Sequence, residues 1–157
     1  PNDIRDNKMV IVKPYNFNSG VGMRITDTVF DFEFKYQIVQ EYVHGNTEYC
    51  AYIVAKDGKI QLCFVYEFVS NNDVYIRKAV NENVISNKVS MDQKYIDTLE
   101  LFLLPCKYNG ICNIDFKIDS DVVKVMEINP RLGGSLMDKN NRQDLIDIVS
   151  AAIDVFV

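Results

Sequence analysis

The segment from Ile111 to Arg131 constrains this chain more than any other. Two runs of strand-forming residues, 111–118 and 122–129, are separated by Asp119-Ser120-Asp121 and closed by Pro130. Side chains alternate along a strand. Cys112, Ile114, Phe116 and Ile118 therefore share an apolar face, and Ile111, Asn113, Asp115 and Lys117 share the other. In the second run Val123, Val125, Glu127 and Asn129 share a face. A three-residue turn would set Ile118 against Val122, Asp115 against Val125 and Asn113 against Glu127. Asp115 and Glu127 then become diagonal neighbours roughly 7–8 Å apart, with Asn129 one step further on. Two carboxylates and an amide oxygen on one sheet face repel each other unless a cation lies between them. A hard divalent ion completed by water and phosphate fits that need. The plainer alternative is a solvated, half-exposed strand. Arg131 follows at once and offers a bidentate fork for phosphate, and Gly133-Gly134 lets backbone approach a ligand closely.

The remaining pattern is a series of strands with two helices. Val10 to Val12 is a short apolar run stopped by Lys13-Pro14, since proline ends strand pairing. Residues 15–22 form an Asn- and Gly-containing loop. Met23 to Phe30 and Tyr36 to Val43 read as strands. Glu48 to Ala55 and Ile60 to Val69 flank Asp57-Gly58, a strong hairpin signal. Residues 70–90 are polar and read as a surface excursion. Ser90 and Gln93 make a capping box for a helix carrying Tyr95, Ile96, Leu99, Phe102 and Leu103 at helical spacing, ended by Pro105. A final helix over 142–156 places Leu145, Ile146, Val149, Ile153 and Phe156 on one face. Antiparallel strands, a helix, a hairpin and a helix make an α+β pattern.

Charge and cysteine usage narrow the function. The net charge is −5 and no Lys/Arg stripe is present, which argues against nucleic acid as partner. No run reaches the roughly 18–20 apolar residues of a membrane span. Cys50, Cys63, Cys106 and Cys112 form no CxxC pair. They read as reduced thiols of a cytoplasmic protein rather than a zinc site, and the single histidine, His44, reads as a loop residue.

The string Asn109-Gly110-Ile111-Cys112-Asn113-Ile114-Asp115-Phe116, followed by Val125-Met126-Glu127-Ile128-Asn129-Pro130-Arg131-Leu132-Gly133-Gly134-Ser135, resembles the C-terminal metal-binding segment of the ATP-grasp superfamily. Its nearest flavour is that of the carbamoyl-phosphate synthase large chain and the amino-acid ligases. The resemblance implies an α+β ATP-grasp fold, with mostly antiparallel sheets, flanking helices and two lobes around a nucleotide cleft. Residues 1–43 would be part of the small lobe and 44–157 the large lobe. An N-terminal substrate domain and part of the first lobe would lie outside this sequence, so the chain alone is expected to be inactive and to bind nucleotide weakly.

The resemblance also assigns residues. Asp115, Glu127 and Asn129 match magnesium ligands. Arg131 matches the arginine that contacts the transferring phosphate. Lys13 matches the lysine that reaches the α and β phosphates. Ser19, Gly20 and Gly22 fall in the loop that closes over the phosphates, although this loop has fewer glycines than the family's flap. Glu41 matches the acceptor for the adenine amino group, with the backbone of Tyr42 and Val43 completing the base contacts, and Glu48 matches the ribose-binding glutamate. Phe116 and Met126 are candidates to flank adenine, with core packing the simpler role.

The implied chemistry uses ATP with Mg²⁺, or Mn²⁺ in its place. A small-molecule carboxylate becomes an acyl phosphate, and an amine then displaces phosphate. No nucleic acid or membrane takes part, and a homodimer is compatible. Two other classes remain open at this point: an ATP-grasp kinase phosphorylating a hydroxyl, and a non-catalytic nucleotide-binding domain.

Overall fold

The computed structural model describes residues 9–15, 22–27, 36–76 and 84–157. Its elements in chain order are β1 (Val10–Pro14), β2 (Arg24–Thr26), β3 (Gln37–Glu41), β4 (Thr47–Lys56), β5 (Lys59–Ser70), β6 (Val84–Val89), α1 (Gln93–Leu103), β7 (Gly110–Asp119), β8 (Val122–Asn129) and α2 (Arg142–Phe156). Two short 3₁₀ turns, Gly134–Met137 and Lys139–Asn141, lead into α2. The strands form two antiparallel sheets, a three-stranded one ordered β2-β1-β3 and a five-stranded one ordered β6-β5-β4-β7-β8. The expected α+β class holds.

β4 is the centre of the large sheet and is buried on both faces. On one face Ala51, Ile53 and Ala55 join Val65, Cys112, Ile114 and Phe116 beneath Leu99 and Leu103 of α1. On the other, Cys50, Tyr52 and Val54 join Tyr66 and Phe68 beneath Leu136 and Ile148. Each such large apolar side chain contributes about 1.5–3 kcal/mol when fully buried. The β4–β5 turn is the two-residue form, with Asp57 at φ 52° and Gly58 at φ 79°, which matches the twist of the strands it joins. A Cβ on Gly58 would stand 2.6 Å from the Leu104 Cα, so this hairpin packs against the end of α1 only without a side chain there.

Several local expectations change. The polar stretch before Ser90 is not all surface excursion: β6 pairs with β5 from Val65↔Val89 to Ser70↔Val84. Its exposed Ser86, Asn87 and Lys88 suit an edge strand, where polar and charged residues discourage further pairing. α1 opens at Gln93, and its cap is Asp92, not Ser90. The Asp92 carboxylate accepts from the Lys94 N–H at 3.1 Å, and aspartate is a strong N-cap whose charge also favours the helix N-terminus. α2 covers the predicted span but turns a different face inward. Leu145, Ile148, Ala152 and Val155 pack on the sheet, whereas Ile146, Val149, Ile153 and Phe156 are exposed.

The hairpin register differs in two compensating ways. The β7–β8 turn has two residues, Ser120 and Asp121, both left-handed at φ 49° and 68°, so Asp119 pairs with Val122. A bulge then interrupts the ladder: Phe116 pairs with Val125 but Asp115 pairs with Glu127, leaving Met126 as the extra residue. Two residues opposite one is the defining feature of a bulge, and it re-aims the side chains beyond it. Val123 and Val125 accordingly pack on the α1 side, and Glu127 and Asn129 turn to the opposite side. The four do not share one face. Asp115 and Glu127 become direct neighbours, and Asn113 pairs with Asn129.

Candidate functional site

The site grows from the face of β4 and β7 that α2 leaves uncovered. The register Tyr49↔Phe116 and Cys50↔Asp115 puts Glu48, Cys50 and Tyr52 of β4 beside Asn113, Asp115 and Lys117 of β7. Glu127 and Asn129 extend the row onto β8. These side chains line a cleft of about 1560 Å³ together with Lys13, Glu41, Tyr42, Val43 and Arg131. One wall of this cleft comes from the three-stranded sheet and the floor from the five-stranded sheet.

Lys13 links the two. It sits at the end of β1, and its Nζ donates to the Met126 carbonyl at 3.2 Å. The bulge thus supplies the acceptor that draws the amine to the carboxylate row. Burial pushes the Lys13 ammonium below the usual lysine range, and the charges of Glu127, Glu48 and Asp115 work against that shift. The three carboxylates are therefore close enough for Lys13 to feel each of them, while the amine is partly withdrawn from water. Such a cation is well placed for an anionic ligand.

The expected ligand set is assembled in part. Asp115 and Glu127 are opposed in register and Asn129 lies on the same strand and side. Among the described residues no cluster of three or more His, Cys, Asp or Glu could hold a metal, so protein oxygens would supply two carboxylates and an amide. A second amide bears on this. Asn113 is 3% exposed, and its Oδ1 is buried with no hydrogen-bond partner, while its Nδ2 lies 3.6 Å from the Cys50 sulfur. An oxygen-only set with an unsatisfied buried carbonyl oxygen suits a hard divalent cation carrying water and phosphate.

Other expected residues fall at the two ends. Arg131 is exposed at the cleft rim, with its N–H bonded to the Asn129 carbonyl at 2.8 Å and its Nη1 to the Leu132 carbonyl at 3.2 Å. Glu41 and Val43 line the far end with Tyr42 and the buried Glu48. The Tyr42 N–H donates to the Met9 carbonyl at 2.9 Å, and the Val43 carbonyl accepts from Lys117 at 3.0 Å. Phe116 is fully buried on the α1 side and takes no part in the cleft, whereas Met126 lines it. Gly22 is in a turn at φ 72° and does not line the cleft. Ser19 and Gly20 lie outside the described residues.

Three participants were not singled out from the sequence. Asn113 and Lys117 are two residues either side of Asp115, so strand alternation already gave them its face; their burial was the missing signal. Tyr52 also reaches the site, bonding through its hydroxyl to Ser135 Oγ. Burial raises its pKa well above the usual tyrosine range, so it stays neutral. A Cβ on Gly133 would stand 2.6 Å from the Tyr52 ring, so this position takes glycine.

Two antiparallel sheets thus enclose a cleft lined by a reaching lysine, an Asp/Glu/Asn row and a flanking arginine. The chain belongs to the ATP-grasp domain family, whose model matches residues 3–135. Solved structures of similar fold include D-alanine–D-alanine ligase from Helicobacter pylori, with a TM-score of 0.58 and 20% identity over 98% of this chain and 51% of that one. The enzyme of the same name from Bacillus anthracis, complexed with ATP, has a TM-score of 0.58 and 16% identity over 94% and 52%. An L-amino acid ligase from Bacillus licheniformis has a TM-score of 0.55 and 17% identity over 81% and 32%. The chain spans about half the length of the D-alanine–D-alanine ligases. No curated protein sequence matches it significantly. Among the described residues no helix is long and apolar enough to cross a membrane.

Proposed function

We propose that this chain is the nucleotide-binding part of an ATP- and Mg²⁺-dependent carbon–nitrogen ligase that works through an acyl phosphate. The observation that carries the reading is the convergence of Lys13, from one sheet, on the Asp115–Glu127 pair of the other. In this reading the three-stranded sheet belongs to the small lobe and the five-stranded sheet to the large lobe. Asp115, Glu127 and Asn129 would hold the metal, which would neutralise phosphate charge when bound. Lys13 holds phosphate oxygens from the opposite wall. Arg131 at the rim stabilises charge on the transferring phosphoryl group through its planar fork.

At the other end Glu41 accepts from the amino group of the base. Tyr42 C=O and Val43 N–H complete the base contacts, since Tyr42 N–H and Val43 C=O are already engaged. Glu48 faces the ribose. A substrate carboxylate oxygen attacks the γ-phosphorus and ADP leaves. The amine then forms the C–N bond at the acyl carbon and inorganic phosphate departs. The chain supplies positioning and charge, and no covalent nucleophile is required of it. The ligases of similar fold support the carboxylate and amine classes of substrate.

Trapping tests this reading. The full-length protein, given ATP, Mg²⁺ and a pool of candidate carboxylates, should form a hydroxamate when hydroxylamine replaces the amine. ADP release with a stable phosphate ester and no hydroxamate would contradict it.

A further inference from the structure

Lys117 is a buried cation in the cleft. It is 3% exposed and sits on β7 between the core residues Phe116 and Ile118. Its Nζ donates to the Gly45 carbonyl at 2.7 Å and to the Val43 carbonyl at 3.0 Å. It also stands 5.2 Å from the Tyr42 ring centroid and 5.1 Å from that of Tyr75, within the range of cation–π attraction. Burial lowers the affinity of this amine for its proton, and Glu48 acts in the opposite direction. Taking an ammonium out of water costs several kcal/mol unless its partners replace the solvent. An apolar side chain would fill this strand position without that cost.

What the lysine holds is the link between the sheets. Val43 and Gly45 belong to the segment joining β3 to β4, the chain's passage from the three-stranded to the five-stranded sheet. Gly45 takes φ 110° there, so the segment turns sharply just where its carbonyl meets Lys117. Tyr42, at the start of the same segment, is tied separately: its hydroxyl accepts from the Tyr75 N–H at 3.1 Å. The segment is thus gripped by one lysine from the floor and one tyrosine from the side. Its two flanks are Glu41 and Glu48.

We propose that Lys117 is a positioning residue for the nucleoside end of the cleft, fixing the Val43–Gly45 backbone on the sheet so that a nucleoside triphosphate is held better than bare triphosphate. The inference rests on the nucleotide reading above. It places Lys117 apart from the phosphate machinery of Lys13, Asp115 and Glu127.

Calorimetric titration separates the two ends. Wild type, Lys117→Met and Lys117→Gln are titrated with Mg·ATP and with Mg·tripolyphosphate. Losing a charged donor to two carbonyls should weaken Mg·ATP binding by about tenfold or more in Lys117→Met, with Mg·tripolyphosphate within about twofold of wild type. Lys117→Gln, which keeps an N–H donor without the charge, should fall between wild type and Lys117→Met for Mg·ATP. Retained tripolyphosphate binding also reports an intact fold. Wild-type affinity for Mg·ATP in both variants would overturn the proposal, as would equal loss of the two probes in Lys117→Gln. A wild-type protein that binds neither probe would instead overturn the nucleotide reading itself.

Discussion

The Lys13 amine crosses from the three-stranded sheet to donate to the Met126 carbonyl at 3.2 Å, and Met126 is the bulged residue next to Glu127. One contact thereby joins two sequence-distant features, the strand-end lysine and the Glu-x-Asn strand, into a single site. It also explains why the bulge occurs where it does, since an extra residue there exposes a carbonyl and turns Glu127 toward Asp115.

Removing that amine should weaken nucleotide binding without unfolding the protein. Lys13 is half-buried, and its interaction is with a carbonyl rather than a core. Lys13→Met should reduce affinity for Mg·ATP by roughly tenfold to a hundredfold, the scale of a lost charged hydrogen bond. Its urea midpoint should stay close to that of wild type. Calorimetry and urea unfolding on the same preparation check both halves.

Gly133 is required by space rather than by backbone conformation, since its φ of −84° suits any residue. A Cβ there meets the Tyr52 ring. Gly133→Ala should cost about 1–3 kcal/mol of stability, as overpacking does. In Gly133→Ala/Tyr52→Ala the two effects should be less than additive, with a coupling of about 0.5–3 kcal/mol. A double-mutant cycle from urea unfolding measures it.

The third prediction concerns acid. Asp144, in the first turn of α2, accepts from Lys88 at 2.7 Å and from the Tyr66 hydroxyl. Burial pushes its carboxyl upward, but these two hydrogen bonds prevail and hold it below the usual aspartate range. A group with a depressed folded pKa stabilises above its unfolded pKa, and that stability is lost as pH falls through the folded value. Unfolding stability should therefore drop below about pH 4, near the ordinary aspartate pKa. Asp144→Asn should flatten that acid limb. Urea midpoints measured from about pH 6 down to about pH 3 decide the matter.

How much of this was legible beforehand differs by feature. Element types along the hairpin and at α2 follow from alternation and helical spacing, and the Asp115/Glu127/Asn129 grouping follows from alternation together with the family resemblance. The register does not. Ser120 and Asp121 both take left-handed φ, and Asp121 is held from α1 by Lys94 at 2.7 Å, a contact no local pattern announces. The bulge at Met126 meets a partner 113 residues away. The shorter turn and the bulge offset one another, so the carboxylates meet across the hairpin for reasons that alternation alone does not supply.

α2 misled differently. Residues 145, 148, 152 and 155 and residues 146, 149, 153 and 156 both form apolar or small-residue stripes at helical spacing, and only the sheet beneath selects between them. A lysine on a strand is usually solvated, and the burial of Lys117 depends on the Val43–Gly45 segment folding over it.

We propose that Asp115, Glu127 and Asn129 hold a divalent cation with the phosphates of ATP. Titration of wild type and Glu127→Ala with ATP, with and without Mg²⁺, tests it most directly. Wild type should bind ATP more tightly when Mg²⁺ is present, and Glu127→Ala should lose that gain, with Mg·ATP affinity down by about tenfold or more. Equal Mg·ATP affinity in the two proteins would contradict the metal assignment.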